Sequence, residues 1–109
     1  FSDSALTDIC FPRLLYAGVF AFFSCQKAVN VDLPLCKELA RSAFDLCTEI
    51  KVLNVPRVKI VSVCSFFRCS SLTDLIIPAA ESVGASCISR CPNLKSINCK
   101  LVAEMAVLV

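Results

Sequence analysis

The sequence predicts an α/β repeat solenoid, mostly β, with parallel strands on its concave face. The return path should carry a short strand or a helical or 3₁₀ turn. Three observations predict this fold. One 22-residue spacing recurs without insertion or deletion, an apolar template ending in period-two alternation precedes each turn, and further apolar columns keep register from unit to unit. Only stacking lets such columns bury themselves, because a single unit has no face to pack against but its neighbours.

The period is carried by Pro12, Pro34, Pro56 and Pro78, each followed thirteen residues later by Cys25, Cys47, Cys69 or Cys91. Lys100 takes the proline slot of the fifth unit. The units are 6–27, 28–49, 50–71, 72–93 and a truncated 94–109 within a single domain, 1–109. Ahead of each slot runs an L-x-x-L-x-L template: Leu6, Ile9, Phe11; Ala28, Val31, Leu33; Ile50, Leu53, Val55; Leu72, Leu75, Ile77; Leu94, Ile97, Cys99. The alternation at its end is that of a half-buried strand. Proline then turns the chain away from the sheet, having no N–H to donate to a ladder. Phe22, Phe44, Phe66 and Ile88 stand three residues before each cysteine. This segment suits a helical or 3₁₀ turn with the aromatic ring in the core. The columns Leu14, Cys36, Val58, Ala80, Val102 and Ala17, Leu39, Val61, Val83, Met105 point inward from the return path. With only two glycines, Gly18 and Gly84, the turns must be built mainly from other residues.

The pattern L-x-x-I-x-F-P followed by A-F-x-x-C resembles the BspA-like, Treponema-type leucine-rich repeat. The resemblance covers nearly the whole chain, with four columns in register four times over. It implies a cell-surface or secreted protein engaged in adhesion or ligand recognition.

Nine cysteines in 109 residues would suggest a disulfide scaffold in a loop-rich secreted chain. Their placement argues for a thiol ladder instead. Cys25, Cys47, Cys69 and Cys91 share one column, and Cys36, Cys87 and Cys99 replace apolar residues of core columns. Free cysteine behaves as a small buried hydrophobe. Cys10 and Cys64 are not placed by this argument. There is no paired C-x-x-C and no histidine, so neither a metal nor any other cofactor is expected.

Without histidine a Ser-His or Cys-His pair is impossible, and acid–base work falls to carboxylates, lysine or Tyr16. Asp8 and Asp74 share a column three coils apart, roughly 14 Å at strand spacing, too far to act across one bond. Asp32 lies nearer Asp8, but no phosphate loop or nucleophile elbow accompanies them. The chain reads as a protein that is not an enzyme.

The residues between the apolar strand positions form two ladders on the concave side. One is Asp8, Asn30, Val52, Asp74, Ser96; the other is Cys10, Asp32, Asn54, Ile76, Asn98. This polar face, with Val52 and Ile76 as apolar islands, is the candidate binding surface for a protein or glycan ligand. The net charge of +2 is spread along the chain, so no nucleic-acid partner is indicated. Arg13, Lys37, Arg57, Lys59, Arg68 and Arg90 belong to the return path and loops. The longest charge-free run lies between Arg13 and Lys27, short of the about 20 apolar residues of a membrane span.

No signal peptide is read at Phe1-Ser2-Asp3-Ser4, and neither end carries a polar cap. The sequence therefore reads as part of a longer array with further repeats, or as a chain whose ends self-associate. Three roles remain, in this order: a recognition module, a structural spacer of a larger surface protein, and a thiol-based redox or enzymatic role.

Overall fold

The computed structural model describes residues 8–25 and 28–101. The ends on which the missing caps, and hence self-association, were read lie outside these residues. Along the chain, three-residue strands alternate with two-residue ones: β1 (Asp8–Cys10), β2 (Tyr16–Ala17), β3 (Asn30–Asp32), β4 (Glu38–Leu39), β5 (Val52–Asn54), β6 (Ile60–Val61), β7 (Asp74–Ile76), β8 (Ser82–Val83) and β9 (Ser96–Asn98). The odd strands form a five-stranded parallel sheet in the order β1-β3-β5-β7-β9, and the even ones a four-stranded sheet β2-β4-β6-β8. Every register is an offset of 22, as in Ile9 on Val31, Val31 on Leu53, Leu53 on Leu75 and Leu75 on Ile97. The sequence period is thus the distance between stacked neighbours.

Pro12, Pro34, Pro56 and Pro78 each occupy the second position of a turn that follows a strand of the five-stranded sheet. Cys36 N–H donates to Leu33 O at 3.3 Å, Val58 to Val55 at 3.3 Å and Ala80 to Ile77 at 3.2 Å. Proline presets the backbone angle this position requires, and its missing N–H leaves nothing unpaired there. The N–H just before it reaches the next coil instead, as from Leu33 to Asn54 O at 2.9 Å. The return path then pairs for two residues in the second sheet, so the strand alternative for this segment is the one the fold adopts.

The helical turn expected around Ala-Phe-x-x-Cys does not form, and no helix occurs among the described residues. Three overlapping turns take its place: Ala43 N–H to Ala40 O, Asp45 to Ser42 and Cys47 to Phe44, at 3.2, 3.2 and 3.3 Å. The intervening N–H groups of Ser42, Phe44 and Leu46 leave the coil for Val63, Ser65 and Phe67 of the next, at 3.1, 2.8 and 3.0 Å. A helix would have kept all of them at home. The alternation is enforced by two columns of left-handed residues, Phe20, Ser42, Cys64, Ser86 and Ser24, Leu46, Arg68, Arg90, with φ between 56° and 62°. None is glycine, so each residue carries a steric cost of order 1 kcal/mol that inter-coil hydrogen bonding and packing offset.

The core fills the space between the two sheets and these turns. Phe22, Phe44 and Phe66 are buried and stacked, Phe22 on Phe44 at 4.8 Å and 6° and Phe44 on Phe66 at 6.2 Å and 27°. Ile88 continues the column, and Cys36, Val58 and Ala80, with Ala17, Leu39 and Val61, are buried from the return side as their spacing predicts. Seven of the nine cysteines lie in or against this core, and none of the nine is joined in a disulfide.

Gly84 marks the tightest backbone approach. A Cβ there would lie 2.5 Å from Val63 N and 2.7 Å from Ser62 C, whereas one at Gly18 would meet nothing within 4 Å. Backbone cannot yield as a side chain does. Gly84→Ala is therefore expected to cost about 1–3 kcal/mol of stability as overpacking, with Gly18→Ala near neutral. Urea midpoints of the two variants check the contrast.

Candidate functional site

The two ladders form as the spacing predicts. Asp8 registers with Asn30, Asn30 with Val52, Val52 with Asp74 and Asp74 with Ser96. Cys10, Asp32, Asn54, Ile76 and Asn98 make the second row. In β1, β3, β5 and β7 the central residue, Ile9, Val31, Leu53 or Leu75, is buried while its neighbours are open or half open, since successive strand residues point to opposite faces. Asp8, Cys10, Asn30, Ser96 and Asn98 are exposed; Asp32, Val52, Asn54, Asp74 and Ile76 are half-buried. All nine candidate residues, with Cys10, thus share the outer face of the five-stranded sheet.

The rows are internally bonded. Asn30 Nδ2 donates to Asp8 Oδ1 at 2.9 Å and Asn54 Nδ2 to Asp32 Oδ1 at 3.1 Å, each joining adjacent coils. Thr73 Oγ1 lies 3.0 Å from Asp74 Oδ2 and 3.1 Å from Lys51 O, with a single proton to give to one or the other. Each of the three carboxylates therefore has a neutral donor within reach. None of the ten row residues is basic, and the ion pairs among the described residues, Arg68 with Asp45 and Lys100 with Glu81, lie elsewhere. The face presents carboxylates set beside neutral donors.

Asp8 and Asp32 each engage their own asparagine. Among the described residues no group of three or more Cys, Asp or Glu side chains is arranged to hold a metal ion. No helix there is long and apolar enough to cross a membrane.

Sequence reasoning missed one charged site on the opposite side of the coil. Asp45 is buried at 6% exposure and receives Arg68 at 3.3 Å, while the Arg68 guanidinium also lies 4.7 Å over the Phe67 ring. The pair spans 23 residues rather than 22, so no column displays it. It closes one turn segment onto the next.

The thiols differ in their surroundings. Burial pushes Cys36 above its ordinary value and takes Cys47 and Cys87 up to about 12. Cys47 and Cys69 donate to Phe22 O and Phe44 O, at 2.9 and 3.1 Å. These are inert, neutral groups that satisfy carbonyls of the preceding coil.

Comparison with known proteins agrees with the geometry. Residues 1–105 match the family model described as the BspA type leucine rich repeat region, in six copies. No curated protein matches. Among solved structures, the crystal structure of a leucine-rich-repeat protein of T. pallidum is similar at a TM-score of 0.61 and 19% identity. The match covers 86% of this chain and 59% of that one, so the chain spans little more than half the length of that neighbour.

Proposed function

The chain belongs to the BspA-type leucine-rich-repeat family, and from that premise we propose that it is a non-catalytic binding module whose polar ladder face recognises a protein or glycan at the cell surface. The observation that carries the reading is the set of three carboxylates, Asp8, Asp32 and Asp74, set beside the neutral donors of Asn30, Asn54 and Thr73 on rows that hold no basic residue. Carboxylates fixed in this way accept hydrogen bonds without first losing side-chain freedom, which is the main cost of ordering a polar contact. The complementary surface is one of donors: sugar hydroxyls, or lysine, arginine and backbone N–H groups of a protein. Val52 and Ile76, adjacent to Asn54 and Asp74 in the middle of the face, supply the apolar contact that such a partner would cover.

The test is a binding screen of the purified chain against arrayed proteins and glycans, run beside an Asp32→Lys/Asn54→Lys variant shown by circular dichroism to be folded. The substitutions reverse one charge and remove one tether on a surface where neither residue contributes to the core. The parent should bind at least one partner, and the variant should lose about tenfold or more in affinity, corresponding to about 1.4 kcal/mol. Equal binding by the two would move the site off this face. Binding by neither would favour a structural spacer.

A further inference from the structure

Six large apolar side chains remain exposed among the described residues, and all six lie on the return path: Leu15, Tyr16, Val19, Phe20, Ile60 and Val63. The column of Phe20 is buried at Ser42 in the next coil, so that ring belongs to no outward row. The other five do. Ile60 and Val63 stand in a coil with neighbours stacked on both sides and are still 44% exposed, so an uncovered coil end does not account for them. Backbone pairing holds these residues in three rows. Lys37 N–H donates to Leu15 O at 2.7 Å and Lys59 N–H to Lys37 O at 2.8 Å. Tyr16 registers with Glu38, and Glu38 with Ile60. Arg41 stands between Val19 and Val63, with Phe20 N–H on Arg41 O at 3.3 Å and Ser42 N–H on Val63 O at 3.1 Å. Apolar and charged side chains therefore interleave across the outside of the four-stranded sheet. Arg13 and Arg57 add two cations at the turns leading into it. Arg13, Lys37, Arg41, Arg57 and Lys59 are all exposed, and none joins an ion pair among the described residues. Against them stands the half-buried Glu38, since Glu81 is taken by Lys100 at 3.7 Å.

We infer that the outer face of the four-stranded sheet docks on an anionic lipid bilayer. Clustered exposed apolar side chains rimmed by polar ones mark an interaction surface, and the five cations give the partner its sign. A protein partner would have to hold carboxylates at fixed positions opposite flexible lysines, which protein interfaces tend to leave out. A fluid bilayer instead brings an anionic headgroup to each cation. Leu15, Tyr16, Val19, Ile60 and Val63 then enter the boundary between headgroups and acyl chains, where basic and apolar side chains act together. Tyr16 suits that depth, with an apolar ring and a hydroxyl that stays wet. The core lies between the two sheets, so a bilayer against this one leaves the ladder face open to solvent. None of the residues on which the ladder reading rests takes part, and either assignment can fail without the other.

The experiment floats the full chain with vesicles of phosphatidylcholine alone or of equimolar phosphatidylcholine and phosphatidylglycerol. Binding to the anionic vesicles should be about tenfold tighter or more, and it should weaken as salt screens the charges. Tyr16 is the sole tyrosine and the chain has no tryptophan, so quenching of its fluorescence by brominated acyl chains reports this face alone. It should be quenched in the anionic vesicles. Lys37→Glu/Lys59→Glu, shown by circular dichroism to be folded, should lose about tenfold or more in affinity. Lys51→Glu/Lys95→Glu makes the same change of net charge at exposed positions beside the other sheet, and it should bind as the parent does. Equal binding to both kinds of vesicle overturns the inference, as does binding with Tyr16 unquenched or an equal loss in the two double variants. Absence of vesicle binding also overturns it, and capture of the chain by polyglutamate in that case would assign the face to an acidic protein.

Discussion

Phe44→Ala is expected to lower the free energy of unfolding by about 3–5 kcal/mol, the usual cost of removing a large buried ring. Phe44 is 1% exposed and sandwiched between Phe22 and Phe66. Truncation therefore opens a void bordered by three coils, and the rings above and below cannot collapse into it without shifting turns that are hydrogen-bonded across coils on both sides. Against a total stability of about 5–15 kcal/mol for a domain, the loss is a large fraction. Urea denaturation of parent and variant measures it. A cost under about 1 kcal/mol, the range of surface changes, would mean that the ring does not stand in the core column.

The second large effect is expected with alkali. Cys36, Cys47, Cys69 and Cys87 are all held above the 9.0 of a free thiol, with Cys47 and Cys87 at about 12; burial is the chief cause except at Cys69, where the contact with Cys91 leads. Between pH 9 and about 12 the unfolded chain has released the protons of Cys47 and Cys87 while the folded chain still holds them. The folded state then binds more protons, and stability must fall as pH rises. Below about pH 9 the contribution is fully present. Above it, each thiol removes up to about 1.4 kcal/mol per pH unit, so Cys47 and Cys87 alone account for about 3 kcal/mol per unit. Cys91, drawn downward, makes its own contribution as pH rises towards 9 and leaves the slope above that unchanged. Melting temperatures recorded under a phosphine reductant should be level from pH 7 to 8 and drop steeply above 9. Cys47→Ser, which keeps a donor for Phe22 O, should flatten the drop by one group's share. A level profile to pH 11 would count against neutral, buried thiols.

Much of this fold is legible because a solenoid writes its contact map into its period. Val31 touches what stands 22 residues before and after it, so an apolar column in the sequence is already a ridge in the core, and the polar rows follow by strand alternation. The turns were harder to read. Ser42, Leu46, Cys64 and Arg68 adopt left-handed backbone without the glycine or asparagine that signals it, so the Phe segment reads as a helical turn until its alternate N–H groups are seen leaving the coil. Asp45 and Arg68 escaped for a different reason, since a contact 23 residues long joins two different columns. On the ladder face, position was legible and partnership was not. The sequence places Asp32 and Asn54 side by side, but that the amide would hold the carboxylate depends on rotamers no spacing encodes.

The uniform offset of both sheets has a mechanical consequence. Each coil is fastened only to the coil before it and the coil after, and nearly all the fastenings are alike. A load applied along the chain is then borne by one junction at a time, and a coil that yields pays out its 22 residues, about 75 Å of extended chain at 3.3–3.6 Å per residue, before the next junction feels the full force. Such an object is expected to yield to a pulling force in steps, one coil at a time. The left-handed turns, costly for a coil standing alone, favour re-formation against a neighbour already wound, so rewinding starts from the intact stack.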